Sequence, residues 1–231
     1  MPTIRFIRII LFAPIICGFI LMTTNCSCQQ NRETQKNSQP FSGEKGWISM
    51  FNGKSLEGWK ITGFGTEGPV NISDGTIVLG MGDGCTGITW NGDFPKMNYE
   101  VSLDANKQSG NDFFCGMTFP AGDSFCSLIV GGWGGPVVGL SNIDGLDASE
   151  NETRMMKKFE PNTWYNIRLK VTPGKIEAWI DNEQTVNFST NNRKLTIRPE
   201  VELSKPFGIC SWITTAGLKN IQFKQLDTEN K

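Results

Sequence analysis

The clearest feature of the chain is an alternation of apolar and polar residues that begins near Trp47. It is strongest over residues 166–180, where two alternating segments flank the turn Pro173-Gly174, the pattern of a half-buried β-hairpin. The other segments of this type predict strands over 76–79, 98–103, 113–119, 124–130, 184–188 and 218–225. No stretch keeps the helical period of about 3.6 residues over a full helix length. The pattern therefore predicts an all-β domain, either a sandwich or a barrel.

The N-terminal part of the chain differs in composition from the rest. Arg5 and Arg8 precede an apolar run over residues 9–22, and a polar stretch follows. A basic segment before about 14 apolar residues is typical of a signal peptide, because a membrane-spanning helix needs about 20; a short retained anchor is the alternative. The chain thus divides into a signal peptide (1–28), a polar flexible tether (29–46) and a folded domain (47–227). Export would place the domain in the periplasm, on the outer membrane or outside the cell.

Two cysteines closely follow the apolar run. Cys26 and Cys28 stand where a bacterial lipoprotein has the first residue of its mature chain, whose thiol is acylated. Neither is preceded by the usual Leu-Ala-Gly pattern, so lipidation at one of them and secretion without a lipid both remain open. A lipid at this position would be the one membrane attachment that the sequence supports.

The later cysteines raise the question of a disulfide. Cys115 and Cys126 each lie in an apolar segment, and they flank a turn signal at residues 120–123. If the two segments form a hairpin, both thiols fall on one face near opposition, and an exported domain permits the bond. We therefore predict a Cys115–Cys126 disulfide, with two buried thiols as the alternative.

Three short phrases stand out along the chain: FNGKSLEGW at 51–59, WYNIRL at 164–169 and GLKNIQF at 217–223. In their order and spacing, residues 47 to 226 resemble the 3-keto-disaccharide hydrolase domain family. The resemblance implies a concanavalin A-like antiparallel β-sandwich of the jelly-roll type, with a disaccharide or glycoside as the partner. Where that family commonly has a Gln-Asp-His-Gly phrase, this chain reads CSWI at 210–213, so the usual histidine is absent.

The complete absence of histidine restricts the chemistry of the chain. It excludes Ser-His-Asp and Cys-His nucleophiles as well as the usual histidine-bound zinc sites. No glycine-rich phosphate-binding motif is present, and a net charge of −1 gives no support for a nucleic-acid partner. Any hydrolysis must therefore depend on carboxylates, on a bound hard cation, or on the acidity of the substrate itself.

Three carboxylates are candidate catalytic groups. Glu100 and Asp104 are four residues apart across a predicted strand, which places both on one face, as in glycosidases that use two acids; an exposed strand face is the alternative. Asp112 lies in a turn where the resembled family has Asn-Ser-Gly, and it is the candidate general base. The neighbouring Asn111 is a candidate donor to sugar hydroxyls, although both side chains also suit a hairpin turn.

Two tryptophans are candidate sugar-contacting residues. Trp133 stands among four glycines in GGWGGP (131–136), which lets the backbone approach a ligand and leaves the indole exposed as a platform. Trp212 is expected to line a groove, and core packing is the alternative for both tryptophans. Lys107 and Arg154 are candidate groups for polarising a ketone.

A dense acidic stretch follows this glycine-rich segment. Asp144, Asp147 and Glu150 carry oxygen ligands of the kind that Ca²⁺ prefers, so the sequence predicts a calcium site here. The spacing differs from that of an EF-hand loop, and a solvated acidic loop is the alternative. No other cofactor is indicated.

The leading functional hypothesis is hydrolysis of the glycosidic bond in 3-keto-disaccharides or related glycosides. A ketone at C3 acidifies the C2 proton, so a base can drive elimination of the C1 substituent, after which water adds back. A non-catalytic carbohydrate-binding or surface-interaction module is the runner-up, because a sandwich with an exposed tryptophan also suits a lectin-like protein. A purely structural exported domain is the third interpretation.

Overall fold

The computed structural model describes residues 46–227, and within them nearly all regular structure is β. The strands are β1 (Ile48–Ser49), β2 (Trp59–Ile61), β3 (Val70–Ser73), β4 (Thr76–Leu79), β5 (Cys85–Trp90), β6 (Tyr99–Gly110), β7 (Cys115–Ala121), β8 (Ser124–Gly132), β9 (Val137–Ser141), β10 (Met155–Met156), β11 (Trp164–Thr172), β12 (Lys175–Ile180), β13 (Glu183–Ser189), β14 (Gly208–Trp212) and β15 (Thr214–Gln225). One 3₁₀ helix, Pro199–Ser204, precedes β14. The predicted signal peptide, its edge cysteines Cys26 and Cys28, and the predicted tether before Gly46 lie outside the described residues.

The strands form two antiparallel sheets packed as a sandwich. Sheet A has the order β13-β12-β11-β6-β15-β4-β3, with β1 paired to β15. Sheet B has the order β10-β9-β8-β7-β14-β5-β2. A single large cluster of apolar side chains from both sheets fills the space between them. The predicted all-β sandwich is therefore confirmed. No helix within the described residues is long and apolar enough to cross a bilayer.

The hairpin of β11 and β12 shows how the sequence pattern produces the fold. Along β11, Ile167, Leu169 and Val171 are buried, while the residues between them are half-buried on the outer face. Ile167 lies opposite Ile180 across the pair, and Gly174 adopts a φ of +76° in the connecting turn. A glycine takes this left-handed conformation without steric cost, which fixes the register of the hairpin. The predicted hairpin is confirmed.

The family-like phrase at 51–59 has a structural role. Phe51 and Trp59 are both buried in the core, and the Trp59 indole Nε1 donates a hydrogen bond of 2.7 Å to the Met50 carbonyl. Gly58 has a φ of +79°, which turns the chain into β2. The phrase therefore encodes the start of the sandwich, and it does not contribute to the site described below.

Sheet B contains strands that the alternation does not reveal. In β9 every residue is buried, and in β5 and β14 all but the last are buried. The outer faces of β5 and β14 are covered by the segment between β13 and β14, where the Thr89 hydroxyl donates a 3.1 Å hydrogen bond to the Leu203 carbonyl. The outer face of β9 is covered by Ala148 and Thr153, which lie against Gly139. A strand buried on both faces has no polar side to alternate with, so the period of two disappears.

The expected Cys115–Cys126 disulfide is not formed. The β7–β8 register places Cys115 opposite Val130 and Cys126 opposite Phe119, so the two cysteines lie four positions apart along the hairpin. Both side chains face the core, as expected for two residues on the same face of the hairpin, and both are buried free thiols. The predicted disulfide was wrong because the β7–β8 turn follows Ala121, which pairs with Ser124, and so lies closer in sequence to Cys126 than to Cys115.

This register leads to a prediction about thiol reactivity. Burial raises the pKa of the Cys126 thiol to about 12 and that of Cys115 still further, so neither forms the reactive thiolate near neutral pH. We expect alkylation followed by peptide mass spectrometry to label neither residue in the native chain at pH 8. In guanidinium without a reductant, both should be labelled. Labelling that appears only after reduction would show that the two cysteines are disulfide-bonded.

Candidate functional site

A cavity of about 200 Å³ lies on the outer face of sheet B. Its floor comes from strands, through Cys85 of β5, Ser127 and Ile129 of β8, Ser141 of β9 and Trp212 of β14. The walls come from the β6–β7 loop, the β8–β9 loop and the segment between β13 and β14. The sheet thus provides a rigid base, and three loops provide the side chains that define the opening.

The floor carries a row of hydroxyl groups. Ser127 lies opposite Ser141 across β8 and β9, and opposite Thr118 across β7 and β8. The Ser127 and Thr118 hydroxyls are 3.0 Å apart and share a hydrogen bond, whereas the Ser141 hydroxyl donates to Asn142 Oδ1 at 2.6 Å. These outward-facing positions alternate with core residues, so small polar side chains replace apolar ones beneath the cavity.

Asp112 is held firmly in the cavity wall. Its backbone N–H donates to the Thr214 hydroxyl at 3.1 Å, and that hydroxyl donates back to the Asp112 carbonyl at 3.2 Å. The carboxylate accepts hydrogen bonds from the N–H groups of Phe113 (2.8 Å) and Gly134 (3.4 Å). Because Thr214 is fully buried, the backbone of Asp112 is anchored to the core, and its carboxylate is tied through Gly134 to the loop that carries Trp133.

Both predicted tryptophans line the same cavity. Trp133 adopts a left-handed φ of +48° between two glycines, and 38% of its surface is exposed. Trp212 is half-buried at the end of β14, with its ring centre 6.4 Å from that of Phe113. The structure therefore brings together Asp112, Trp133 and Trp212, three residues that are far apart in sequence. Asn111, next to Asp112 in the chain, is not among the lining residues.

Glu100 and Asp104 lie on the other side of the molecule. They share the outer face of sheet A, as expected from their spacing, because the residues between them alternate into the core. Glu100 pairs with Arg168 at 3.4 Å, and Asp104 accepts hydrogen bonds from the side chains of Asn166 (2.9 Å) and Asn220 (2.7 Å). The sandwich thus separates Glu100 and Asp104 from the cavity, and on the face of sheet A each of them already has partners within the protein.

The acidic loop is neutralised by arginine. Asp144 accepts hydrogen bonds from the Lys194 backbone N–H at 2.8 Å and from Arg193 Nε at 2.6 Å, and these contacts hold the pKa of Asp144 below its usual value. Asp147 pairs with Arg198 at 3.3 Å. Across residues 46–227, no group of three or more acidic or cysteine side chains is arranged to hold a metal ion. The calcium site expected of Asp144, Asp147 and Glu150 is therefore not formed, and two of these carboxylates, Asp144 and Asp147, pair with Arg193 and Arg198 instead.

Two charged residues of the cavity were missed by the sequence analysis. Arg198 and Glu200 form an ion pair of 3.0 Å in the cavity wall. The hydrogen bond from Arg198 lowers the pKa of Glu200, and the same bond raises the pKa of Arg198. No local motif marks either residue, because their segment lies at the cavity only through backbone pairing with a part of the chain that is distant in sequence. The candidate ketone-polarising residues Lys107 and Arg154 do not line the cavity.

The family model for the 3-keto-alpha-glucoside-1,2-lyase-like domain matches residues 46–224, a span that includes every residue lining the cavity. The chain belongs to this family. Membership gives the protein a carbohydrate-related function. No curated protein is significantly similar to the chain in sequence.

Several solved structures share the sandwich. The transglycosylase Crh5 in complex with NAG is 12% identical with a TM-score of 0.55, covering 79% of this chain and 85% of its own. The carbohydrate-binding module CBM66 from Bacillus subtilis is 13% identical with a TM-score of 0.51, covering 73% and 96%. A Bacillus subtilis protein of unknown function with a galectin-like fold is 10% identical with a TM-score of 0.53, covering 73% and 90%. Identities this low establish the common fold alone.

Proposed function

We propose that the protein cleaves the glycosidic bond of 3-keto-glucosides by base-driven elimination. The observation that carries this proposal is the meeting of the Asp112 carboxylate with Trp133 and Trp212 in one cavity of a lyase-like family domain. Asp112 removes the C2 proton, and the electron pair of that bond moves towards the C3 ketone to give an enolate. The enolate then collapses: the C3=O bond re-forms, the C1=C2 double bond forms, and the C1–O bond breaks. Addition of water across the double bond then yields the free 3-keto sugar, so the overall reaction is hydrolysis.

This mechanism suits a chain without histidine. The C3 ketone acidifies the C2 proton, so a carboxylate is a sufficient base and no strong nucleophile is required. Two carboxylates line the cavity, and Glu200 is the poorer proton acceptor because its ion pair with Arg198 lowers its pKa. The Asp112 carboxylate accepts hydrogen bonds from the backbone N–H groups of Phe113 and Gly134, and within residues 46–227 it forms no ion pair. These differences support Asp112 as the base.

The size of the cavity supports a single bound sugar ring. A volume of about 200 Å³ corresponds to roughly seven water molecules at ~30 Å³ each, below the ~300 Å³ at which pockets for larger ligands begin. In this arrangement the 3-keto ring occupies the cavity against the indole rings, and the leaving group extends over the rim. The hydroxyls of Ser127 and Ser141 on the floor provide partners for ring hydroxyls.

A non-catalytic carbohydrate-binding module is the second candidate. It is favoured by the fact that both carboxylates in the cavity already accept hydrogen bonds from the protein, Asp112 from backbone N–H groups and Glu200 from Arg198. In such a module these contacts would serve only to shape the cavity.

Incubation with 3-keto-lactose and 3-keto-trehalose distinguishes the two functions. Release of free sugar is followed with the purified chain, and the unoxidised disaccharides serve as matched controls. The elimination mechanism predicts turnover of the keto forms alone. Binding of sugars without turnover of either keto form would identify a lectin-like module.

Replacement Trp133→Ala is expected to weaken sugar binding with little effect on stability, because the indole is exposed and its loop is fixed by other contacts. Loss of a tryptophan contact of about 1–2 kcal/mol corresponds to roughly 5- to 30-fold in affinity. Calorimetric titration with a 3-keto sugar measures the affinity of the variant and of the wild type. The matched control is Trp179→Ala on the outer face of sheet A, where the indole packs against Arg168 at 3.8 Å. Equal losses from both variants would remove Trp133 from the site.

We also propose that the protein is exported, on the strength of the basic and apolar N-terminal pattern. Mass spectrometry of the N-terminus from the native host tests this proposal. A mature chain starting at an acylated Cys26 or Cys28 would identify a lipoprotein, and an uncleaved N-terminus in the cytosolic fraction would contradict export.

A further inference from the structure

Removal of the C2 proton creates a second chemical requirement, which rests on the proposed elimination. When the C2–H bond breaks, its electron pair moves into a C2=C3 double bond and the ketone oxygen becomes an enolate with a negative charge. A positioned donor at that oxygen stabilises the transition state more than it stabilises the bound ketone. The cavity must therefore place a donor opposite the base.

We propose that Arg198 holds the ketone oxygen of the substrate and stabilises the enolate. Among the described residues that line the cavity, Arg198 is the one basic side chain. It belongs to the segment between β13 and β14, whereas Asp112 belongs to the β6–β7 loop. The base and the donor thus come from different walls, and a sugar ring in the cavity lies within reach of both.

The arginine is held in place by two carboxylates. Its Nη1 lies 3.3 Å from Asp147 and its Nη2 lies 3.0 Å from Glu200. Asp147 is itself fixed by Ser149, whose N–H (3.0 Å) and hydroxyl (2.6 Å) both donate to it. A guanidinium has five N–H donors, so these two pairs leave donors for a ligand while fixing the planar group. Asp147 and Glu200 therefore act as positioning residues.

The ion pairs also keep the arginine charged during the reaction. They raise the pKa of Arg198, so it donates hydrogen bonds and does not compete with Asp112 as a base. In the collapse of the enolate, the C3=O bond re-forms, the C1=C2 bond forms, and the C1–O bond breaks. The proton that Asp112 received passes to solvent, and the leaving group takes a proton from solvent.

Hydrogen exchange at C2 isolates this step from bond cleavage. The probe is a 3-keto sugar analogue with no oxygen substituent at C1, which can form the enolate but cannot eliminate. Loss of the C2–H signal in D₂O is followed by NMR with the wild-type chain, with Arg198→Gln, and with Arg198→Lys. The control is Arg154→Gln, since Arg154 carries the same charge outside the cavity.

We expect Arg198→Gln to reduce the exchange rate on the order of 100-fold, as for removal of one oxyanion donor, and Arg154→Gln to leave it unchanged. Arg198→Lys keeps the charge and should retain part of the rate, because it lacks the planar fork. Affinity for the 3-keto analogue should fall in Arg198→Gln while affinity for the matching 3-hydroxy sugar does not. A merely structural role would lower both affinities together.

The outcomes separate this inference from the proposed function. Wild-type exchange and cleavage with an Arg198→Gln rate within twofold of normal would overturn the role of Arg198 and leave the elimination intact. No exchange and no cleavage by the wild-type chain would overturn the elimination itself, and the role of Arg198 with it. Thermal unfolding of each variant shows whether it is folded. If Arg198→Gln does not fold, the exchange rate and the two sugar affinities of Arg198→Lys are compared with those of the wild type, and values equal to the wild type would overturn the role of Arg198.

Discussion

Replacement Asp112→Asn is expected to reduce kcat for cleavage of 3-keto-glucosides by about 10²–10⁴-fold, the range for loss of a general base. The amide has the size of the carboxylate and can still accept the 2.8 Å hydrogen bond from the Phe113 N–H, so that only the longer contact of 3.4 Å with the Gly134 N–H is lost. It cannot accept a proton from C2. The measurement is the initial rate of sugar release at saturating substrate, with KM recorded separately.

Two further variants make this result specific. Asp123→Asn changes an exposed carboxylate at the opposite end of β7, where it pairs with Lys96 at 2.8 Å, and its kcat should equal that of the wild type. In Asp112→Ala, added formate should restore part of the rate, because a small carboxylate can occupy the vacant position. A rise in KM with an unchanged kcat in Asp112→Asn would show that Asp112 only positions the Trp133 loop.

Replacement Asn151→Ala is expected to lower the free energy of unfolding by roughly 3 kcal/mol. The reason is that each buried polar group left without a hydrogen-bond partner costs about 1–3 kcal/mol. The two N–H groups of the Asn151 amide point at the carbonyls of Leu140 (2.7 Å) and Asp147 (2.8 Å), and the Leu146 carbonyl shares one of them at 3.2 Å. Its Oδ1 accepts from the Thr153 N–H (2.9 Å) and hydroxyl (2.6 Å). This one buried side chain therefore fixes the acidic loop against β9.

Guanidinium unfolding measures the loss, and the control is Asn187→Ala on the exposed face of β13. The control should stay within about 0.5 kcal/mol of the wild type, as is usual for surface positions. Because the loop carries Asp147, which pairs with Arg198, Asn151→Ala should also slow cleavage. Equal stabilities of the two variants would mean that the Asn151 hydrogen bonds contribute little to the fold.

The sequence predicted the parts of the fold in which one face of a strand meets solvent. In β11 and β12 the buried residues alternate with half-buried ones, so the hairpin could be identified with its register. Strands β5, β9 and β14 of sheet B are covered on both faces, and their sequences, such as GICSW in β14, have no alternation to detect. Strands β7 and β8 of the same sheet were located from two apolar segments on either side of a turn signal. Burial on the second face depends on a distant segment, which a local pattern does not contain.

The same distinction explains which site residues could be predicted. The family resemblance pointed to Asp112, which stands in the turn where that family has Asn-Ser-Gly, and the four surrounding glycines pointed to Trp133. Arg198 and Glu200 reach the cavity because the chain after β13 pairs with the end of β9, where Asn142 and Thr196 exchange backbone hydrogen bonds of 2.8 and 3.1 Å. Glu100 and Asp104 had the right spacing for a dyad, but they face outward from sheet A.

In the proposed reaction, cleavage begins with loss of the C2 proton inside the cavity. The decisive measurement uses a substrate that carries deuterium at C2. The elimination predicts that cleavage of the deuterated 3-keto-glucoside is slowed by a primary isotope effect. It also predicts that the released 3-keto sugar carries hydrogen from solvent at C2. Cleavage at the normal rate with the deuterium retained at C2 would show that the bond breaks without an enolate, and would contradict the assignments of Asp112 and Arg198 together.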